Sequence, residues 1–164
     1  MRPTLTPRTI LAAILVAAVA TIGGALVFEH GYGLRPCKLC LQQRNPYYVA
    51  MAVAGIGLFF PIRWQRLALA LLTLVFVVSA GMGVYHAGVE WGFWAGPNDC
   101  SGAPAPTAGS MNDFLNQLQN TRVVSCTEAA WRFLGLSLAG WNVLISLGLA
   151  GLAAVALRRR TAHG

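Results

Sequence analysis

Four long apolar stretches constrain this chain more than any other feature of its sequence. They cover residues Ile10–Phe28, Pro46–Ile62, Leu67–Tyr85 and Leu136–Leu157, and none contains Lys, Arg, Asp or Glu. Each has roughly the 17 to 25 residues that an α-helix needs to cross a hydrocarbon core of about 30 Å. The sequence therefore predicts an all-α membrane protein, a bundle of four transmembrane helices forming one domain over residues 1–164.

Composition excludes an ordinary soluble domain. Apolar residues make up 56 % of the chain and charged residues only 10 %, whereas soluble proteins average about 25 % charged residues. The first stretch follows basic residues, as a secretory signal does, but it is longer than the roughly 7 to 15 apolar residues of a cleaved signal. We expect it to be retained as the first span, in contact with membrane lipid.

The cations are distributed unequally between the two predicted faces of the membrane. With four spans, both termini and a short turn between Ile62 and Leu67 lie on one side. The other side balances five cations with five acids. The positive-inside rule makes the unbalanced face cytoplasmic, so the net charge of +7 indicates topology rather than a nucleic-acid partner. That face carries seven cations and no acid: Arg2, Arg8, Arg63, Arg66, Arg158, Arg159 and Arg160.

Two loops on the opposite face contain all four cysteines. The first covers residues of about 29–45 and the second residues of about 87–135. A Gly- and Pro-rich segment around Cys100 is predicted to be extended and exposed. Within Ser110–Gln119, apolar residues recur at helical spacing. This pattern predicts a short amphipathic helix that lies either on the bundle or on the outer membrane surface.

The first cysteine pair, Cys37-Lys38-Leu39-Cys40, has the spacing of the dithiols in disulfide oxidoreductases. A structural disulfide across so short a loop would remove little entropy from the unfolded chain, so redox or metal chemistry explains the pair better. Pro36 can open a short helix at its first position. That would place Cys37 near the positive end of the helix dipole and favour its thiolate.

The second pair, Cys100 and Cys126, is 26 positions apart. A disulfide between them would contribute on the order of 3.5 kcal/mol in the chain-entropy model, which is ordinary for a structural bond. Its place in an exposed, flexible segment instead favours an exchangeable, catalytic disulfide. A structural zinc site generally has two tight ligand pairs, which these cysteines do not supply, so we predict no metal.

Forming a disulfide releases two electrons, and the sequence contains no dinucleotide-binding glycine motif in a strand-turn-helix unit to receive them. Elimination favours a membrane-soluble quinone. Arg44 lies one helical turn after Cys40, where its guanidinium would stabilise a thiolate or a reduced quinone oxygen. Alternatively it anchors a helix end at the lipid headgroups. Asn45 and Pro46 are predicted to be the N-cap and first residue of the second span.

These features together resemble the disulfide bond formation protein B (DsbB) family over nearly the whole chain. One is Pro36-Cys37-Lys38-Leu39-Cys40 followed by Arg44, and another is the isolated Cys100 in an outer loop rich in Gly and Pro. The third is Cys126 followed by Trp131-Arg132-Phe133-Leu134-Gly135-Leu136 before the fourth span. The combination is specific, whereas a Cys-x-x-Cys motif alone is not.

The resemblance implies a bacterial inner-membrane enzyme that reoxidises a DsbA-like periplasmic thioredoxin-fold protein. Its electrons would pass to ubiquinone or menaquinone. Cys100 would be attacked by the partner, and Cys126 would exchange with Cys37. Cys40 would be the thiolate beside the quinone, in a charge-transfer or covalent adduct supported by Arg44.

Further quinone contacts are implied by the same resemblance. The family places a histidine near the outer end of the third span, and His86 is nearby, but ungapped matching puts Glu90 closer to that position. Leu138, at the start of the fourth span, completes the expected quinone-binding set. Asn45-Pro46 departs from the family's usual residues at this point.

Two alternatives remain open at this point. Vitamin K epoxide reductase-like enzymes also use four helices and two cysteine pairs, but their Cys-x-x-Cys follows the loop pair in chain order, whereas here it precedes it. A non-enzymatic four-span metal-uptake protein would use the thiols to bind soft metals. Two disulfides in the isolated protein would fit the oxidase, and four free thiols with bound metal would fit transport.

Overall fold

The computed structural model describes residues 6–97 and 126–158. Cys100 and the predicted helix Ser110–Gln119 lie outside the described residues. The described part also contains a π-helical turn, Val27–Gly31, and an antiparallel strand pair, β1 (Arg132–Phe133) and β2 (Leu136–Ser137). Its α-helices are α1 (Pro7–Leu26), α2 (Lys38–Gln42), α3 (Asn45–Gly57), α4 (Ile62–Glu90) and α5 (Leu138–Arg158).

Three helical segments in the described ranges are long and apolar enough to cross a membrane: Pro7–Gly31, Ile62–Glu90 and Leu138–Arg158. They support a helical, multi-pass membrane protein. Helix α3 has 13 residues, which at about 1.5 Å per residue spans roughly 20 Å, less than a hydrocarbon core. The count of four spans therefore stays a prediction.

The connection between α3 and α4 differs from the predicted turn at Ile62–Leu67. The chain instead turns over residues 58–61, and α4 begins at Ile62. Pro61 is the N-cap of α4, with ψ at 162°, and a proline disfavours the helical conformation of the residue before it. Arg63 and Arg66 consequently lie at the start of α4.

The outer helix ends also differ from the predicted boundaries. Helix α4 continues beyond Tyr85 to Glu90, and α5 begins only at Leu138 because the preceding two residues pair with β1. Leu134 and Gly135 form the turn of this hairpin with φ of 52° and 80°, the left-handed conformation that two-residue hairpin turns require. The structure thus adds one small strand pair to the predicted all-α fold.

Helices α1, α3, α4 and α5 share one apolar core, and α4 packs most extensively against α5. Gly83 explains part of this close approach: a Cβ atom there would lie 2.7 Å from Val143 Cγ2. Small residues at such a contact let two membrane helices pack with their backbones close together. The buried members of the core include Leu11, Ile14, Ala18, Ala50, Ala54, Leu69, Leu72, Phe76, Leu149 and Ala153.

A polar cluster crosses this core, formed by Tyr47, Ser79, Asn142 and Ser146. The Tyr47 hydroxyl donates to Asn142 Oδ1 at 2.7 Å and lies 3.0 Å from Ser146 Oγ. Ser146 Oγ in turn donates to Ser79 Oγ at 2.9 Å. The interhelical polar cluster therefore ties α3, α4 and α5 together. Such bonds average about 0.6 kcal/mol each in a membrane protein.

Candidate functional site

Cys37 is the N-cap of α2. Its Sγ accepts a hydrogen bond from the Cys40 backbone N–H at 3.2 Å, and helical residues begin at Lys38. The expected helix start at Pro36 is thus shifted towards the C-terminus. This single turn brings the Cys37 and Cys40 sulfurs to 2.9 Å from each other, so the two thiols are placed for disulfide chemistry.

The two thiols of this pair ionise differently. The Cys37 thiol donates a hydrogen bond to the Cys40 sulfur, and this bond together with burial raises the pKa of Cys37 to about 12. The same bond is the main cause that lowers the pKa of Cys40, against burial and the charges of Cys126 and Glu90. The expectation that Cys37 is the favoured thiolate is therefore wrong. Cys40 accepts the bond and is the thiol of the pair whose ionisation is favoured.

Cys126 reaches the same place from the second outer loop. Cys126 is 1 % exposed and packs with Cys37, Leu39 and Val89. Cys40 lies against this group. Three of the four predicted cysteines therefore lie together on the described part of the chain. Burial of Cys126 beside the Cys-x-x-Cys turn places the two loops within reach of each other.

His86 lies next to the Cys37 sulfur, which is 3.5 Å from its Nε2. Its Nδ1 lies 3.1 Å from Gln43 Nε2, and this amide nitrogen also donates to the Met82 carbonyl. Because an amide nitrogen donates, Nδ1 is the acceptor. The neutral His86 ring then carries its proton on Nε2, facing Cys37.

Gln43 and Asn142 are site residues that were not predicted. Asn142 Nδ2 donates to Gln43 Oε1 at 3.3 Å, which fixes the orientation of the Gln43 amide and joins His86 to the interhelical polar cluster. The sequence holds a signal for each. Gln43 lies three residues after Cys40, on the same side of a helical turn, and an amide within a predicted membrane span is costly unless it has a partner.

Glu90 is one helical turn from His86 at the end of α4. Its Oε1 lies 3.7 Å from His86 Nε2, and its side chain is 5 % exposed. Its Oε2 is buried and has no hydrogen-bond partner among the described residues. The structure thus brings both candidates for the family's histidine position, His86 and Glu90, to the cysteine pair.

Arg44 forms an ion pair that was not predicted. Its Nη1 donates to Glu29 Oε2 at 2.6 Å, with side-chain exposures of 13 % and 26 %. Glu29 belongs to the π-helical turn, a wider turn that is frequent at functional sites. Arg44 is itself the N-cap of α3, where we expected Asn45, so Asn45 and Pro46 are the first two helical residues.

These side chains surround one cavity with a volume of about 270 Å³. Its walls are mainly apolar, and the predicted site residues Cys40, Arg44, His86, Glu90 and Leu138 all contribute to them. Cys37 is not among the residues that line the cavity. An apolar cavity with a few convergent polar groups is typical of a site for a small, largely hydrophobic ligand.

The arrangement of the cysteine pair fits a dithiol better than a metal site. The ligand atoms of Cys37, Cys40 and His86 lie within 4.8 Å of one another. The sulfurs are only 2.9 Å apart, however. Two thiolates on one tetrahedral zinc, each about 2.3 Å from the ion, would be about 3.8 Å apart. The geometry therefore supports redox chemistry over metal binding.

Comparison with known proteins assigns a family to this arrangement. The family model described as "Disulfide bond formation protein DsbB" matches residues 7–156. A curated Disulfide bond formation protein B of Acidovorax sp. is 31 % identical over 165 residues, covering 93 % of this chain and 88 % of the relative. Disulfide bond formation protein B 1 of Pseudomonas aeruginosa is 30 % identical over 169 residues, with 96 % and 99 % covered. The matched region includes the described cysteines and every residue named around the cavity.

Proposed function

Since this chain belongs to the disulfide bond formation protein DsbB family, we propose that it reoxidises a DsbA-like thioredoxin-fold protein and passes the electrons to a membrane quinone. One observation carries the proposal: Cys40, whose pKa is lowered, lines an apolar cavity of about 270 Å³. Reactive cysteines are recognised by such a lowered pKa. The family supports a disulfide-generating membrane protein, and the partner and acceptor are the proposed additions.

Electrons enter through the second loop in this proposal. A thiolate of the partner attacks Cys100, which releases the Cys126 thiolate from the loop disulfide. Cys126 then attacks the sulfur of Cys37 and displaces Cys40. Burial of Cys126 against Cys37 supports this step, and a leaving thiol with a lowered pKa departs faster.

Electrons leave through Cys40 in the same proposal. A bound quinone supplies a two-electron acceptor there. Arg44 and Leu138 would hold its ring region, since both line the cavity with Cys40. His86 Nε2 directs a hydrogen towards Cys37 at 3.5 Å and stabilises negative charge that develops on that sulfur. We infer no particular quinone, because ubiquinone and menaquinone share the ring chemistry.

The order of exchange predicts which variant traps the partner. In Cys126→Ser no loop disulfide forms and Cys100 is a thiol. A thioredoxin-fold protein with one active-site cysteine, supplied as its mixed disulfide with thionitrobenzoate, should therefore be joined to Cys100 in most of the protein, with release of thionitrobenzoate. Cys100→Ser should form none. Non-reducing electrophoresis with peptide mapping measures both. Equal trapping of the partner through Cys37 in the two variants would contradict the assigned order.

The excess of cations at the predicted cytoplasmic face sets the orientation that we propose for the inner membrane. Reporter fusions at Gly164 and after Arg63 should be active in the cytoplasm, and a fusion at Ala108 should be active outside it. The positive-inside rule is the physical reason. An extracytoplasmic C-terminus would overturn this topology, including the outward position of the cysteines.

The function as a whole is tested with purified protein in detergent, a short-chain ubiquinone analogue and a reduced thioredoxin-fold protein. Catalytic oxidation of that protein, with one quinone reduced per disulfide formed, is the expected result. Thiol titration serves as the companion measurement. Four free thiols with bound soft metal, and no turnover, would instead support the metal-uptake alternative. The vitamin K epoxide reductase-like alternative has no feature of this chain that favours it over the matched family.

A further inference from the structure

We propose that Glu90 is the proton donor of this site. It holds a proton while Cys40 is a thiolate, and gives that proton up when the cysteine pair is oxidised. The inference rests on the proposed function, because the electrons that leave Cys40 need an acceptor that takes up protons. Nothing in the family match assigns this role to Glu90, which ungapped matching puts closer than His86 to the position of the family's histidine.

The burial of Glu90 argues that it is not a permanent carboxylate. Its side chain is 5 % exposed, and Oε2 has no hydrogen-bond partner in the described part of the chain. The contact from His86 Nε2 to Oε1, at 3.7 Å, is longer than the usual 2.7 to 3.2 Å of an N–H···O bond. A buried carboxylate without a donor at hydrogen-bond distance is unfavourable beside a Cys40 thiolate, and protonation removes one of the two negative charges.

The charged groups around Glu90 argue in the same direction. Cys40 faces it from α2, with Cys37 and Cys126 packed against Cys40, and the negative charge of Glu90 opposes ionisation of Cys40. His86 is a neutral donor, as described above. Of the arginines lining the cavity, Arg44 is bound to Glu29 and Arg35 is exposed. Tyr47, the remaining titratable group of the cavity wall, donates its hydroxyl proton to Asn142.

The proton count balances without a proton from solvent. The site starts with a Cys37 thiol, a Cys40 thiolate and a Glu90 carboxylic acid. Oxidation forms the Cys37–Cys40 disulfide and breaks the Cys37 S–H and Glu90 O–H bonds. Two electrons and two protons pass to the quinone, which becomes a quinol. One negative charge moves from Cys40 to Glu90. The Glu90 carboxylate therefore forms only when the opposing charge of the Cys40 thiolate is gone.

Proton uptake from solvent tests this count. Protein that carries Cys100→Ser and Cys126→Ser, so that Cys37 and Cys40 are its only cysteines, is prereduced in weakly buffered detergent, and position 90 is varied in this background. It is mixed without oxygen with a short-chain ubiquinone analogue and a pH indicator, at a pH where Cys40 is a thiolate. Wild-type protein should take up no net proton. Glu90→Gln should take up one proton for each quinone that it reduces. It should reduce the quinone about tenfold more slowly or worse, since a general acid contributes about 10² to 10⁴ in rate. Its rate should fall as the pH rises, because the proton must come from solvent.

Two further variants provide the controls. Glu90→Asp keeps an acid and should restore both the stoichiometry and most of the rate. Glu128→Gln removes an exposed acid of the second outer loop and should behave as wild type. A Glu90→Gln protein that takes up no proton would overturn the proposal, as would one proton per quinone taken up by wild type.

Infrared difference spectra give a readout that needs no quinone. Oxidation of the dithiol protein with diamide should remove a carboxylic acid band and add a carboxylate band. Both changes should be absent in Glu90→Gln and present in Glu128→Gln. An unchanged acid region in wild type would contradict the assignment of Glu90, whether or not the protein reduces quinone. Failure of wild type to reduce the quinone, with the infrared change present, would count against the proposed function alone.

Discussion

Cys40→Ser should lower kcat/KM for a quinone analogue by about a thousandfold or more, because the substitution removes the only thiolate that lines the described cavity. Cys40 is ionised most readily, since it accepts the hydrogen bond from Cys37. A serine hydroxyl at this position does not ionise near neutral pH. Anaerobic quinone reduction by the prereduced variant, followed by absorbance, measures the effect.

Cys37→Ser is the matched control for that prediction. It also stops turnover, but it leaves the Cys40 sulfur in the cavity, where iodoacetamide should still alkylate it near neutral pH. In wild-type reduced protein, Cys40 should be alkylated at a lower pH than Cys37, whose raised pKa of about 12 keeps it a thiol until the solution is strongly alkaline. Faster alkylation of Cys37 at neutral pH would reverse the roles assigned to the two sulfurs.

Arg44→Ala should worsen kcat/KM for the quinone by about ten- to a hundredfold, since a hydrogen bond from a charged group contributes roughly 1.5 to 3 kcal/mol. Exchange between the second-loop disulfide and the reduced partner in a single turnover should be nearly unchanged. Arg44→Lys should recover only part of the loss, because an ammonium keeps the charge without the planar fork. Steady-state rates against quinone concentration measure the loss, and single-turnover partner oxidation measures the control.

The ion pair with Glu29 allows an experiment to distinguish the two possible roles of Arg44. If the arginine only anchors a helix end through that pair, Glu29→Gln should reproduce the loss of stability in Arg44→Ala, and both variants should keep wild-type quinone kinetics. If the guanidinium acts on negative charge in the cavity, only Arg44→Ala should lose quinone activity to the full extent. Wild-type quinone kinetics in a well-folded Arg44→Ala protein would show that this arginine only anchors a helix end.

Much of the membrane architecture could be predicted from the sequence, because a helix that crosses a membrane needs a minimum number of consecutive apolar residues. Three apolar stretches correspond to helices of membrane-spanning length, and the cysteine pair does lie in a short helical turn. The helix boundaries were less predictable. Pro61 ends the turn between α3 and α4. The start of α5 is shifted to Leu138 by a pair of strands that have only two residues each.

The arrangement of the site was predictable in part. Cys40, Arg44, His86, Glu90 and Leu138 do line one cavity. The order of ionisation within the cysteine pair was not predictable, because it depends on which sulfur donates to the other. A helix-dipole argument places both sulfurs near the same partial charge and cannot choose between them.

The partners of the predicted residues were also hidden from the sequence. Glu29 precedes Arg44 by 15 positions and reaches it through a π-helical turn, which has no reliable sequence signature. Asn142 is 99 positions from Gln43, so their contact depends on how α5 packs against the first loop. Contacts of this kind follow from tertiary packing, which spacing along one chain does not reveal.

The contact between Ser79 and Ser146 has a consequence for the axial alignment of α4 and α5. Leucine and alanine contacts are alike at every turn, so an apolar helix can slide along its neighbour at little energetic cost. A slide of one turn would bring Ser146 opposite Gly83 or Val75 and separate the two hydroxyls, now 2.9 Å apart. His86 lies two turns beyond Ser79 on α4, or about 10 Å along the axis. The axial position of His86 relative to α5 is therefore set at a distance, by this pair of hydroxyls together with the close fit of Gly83 against Val143.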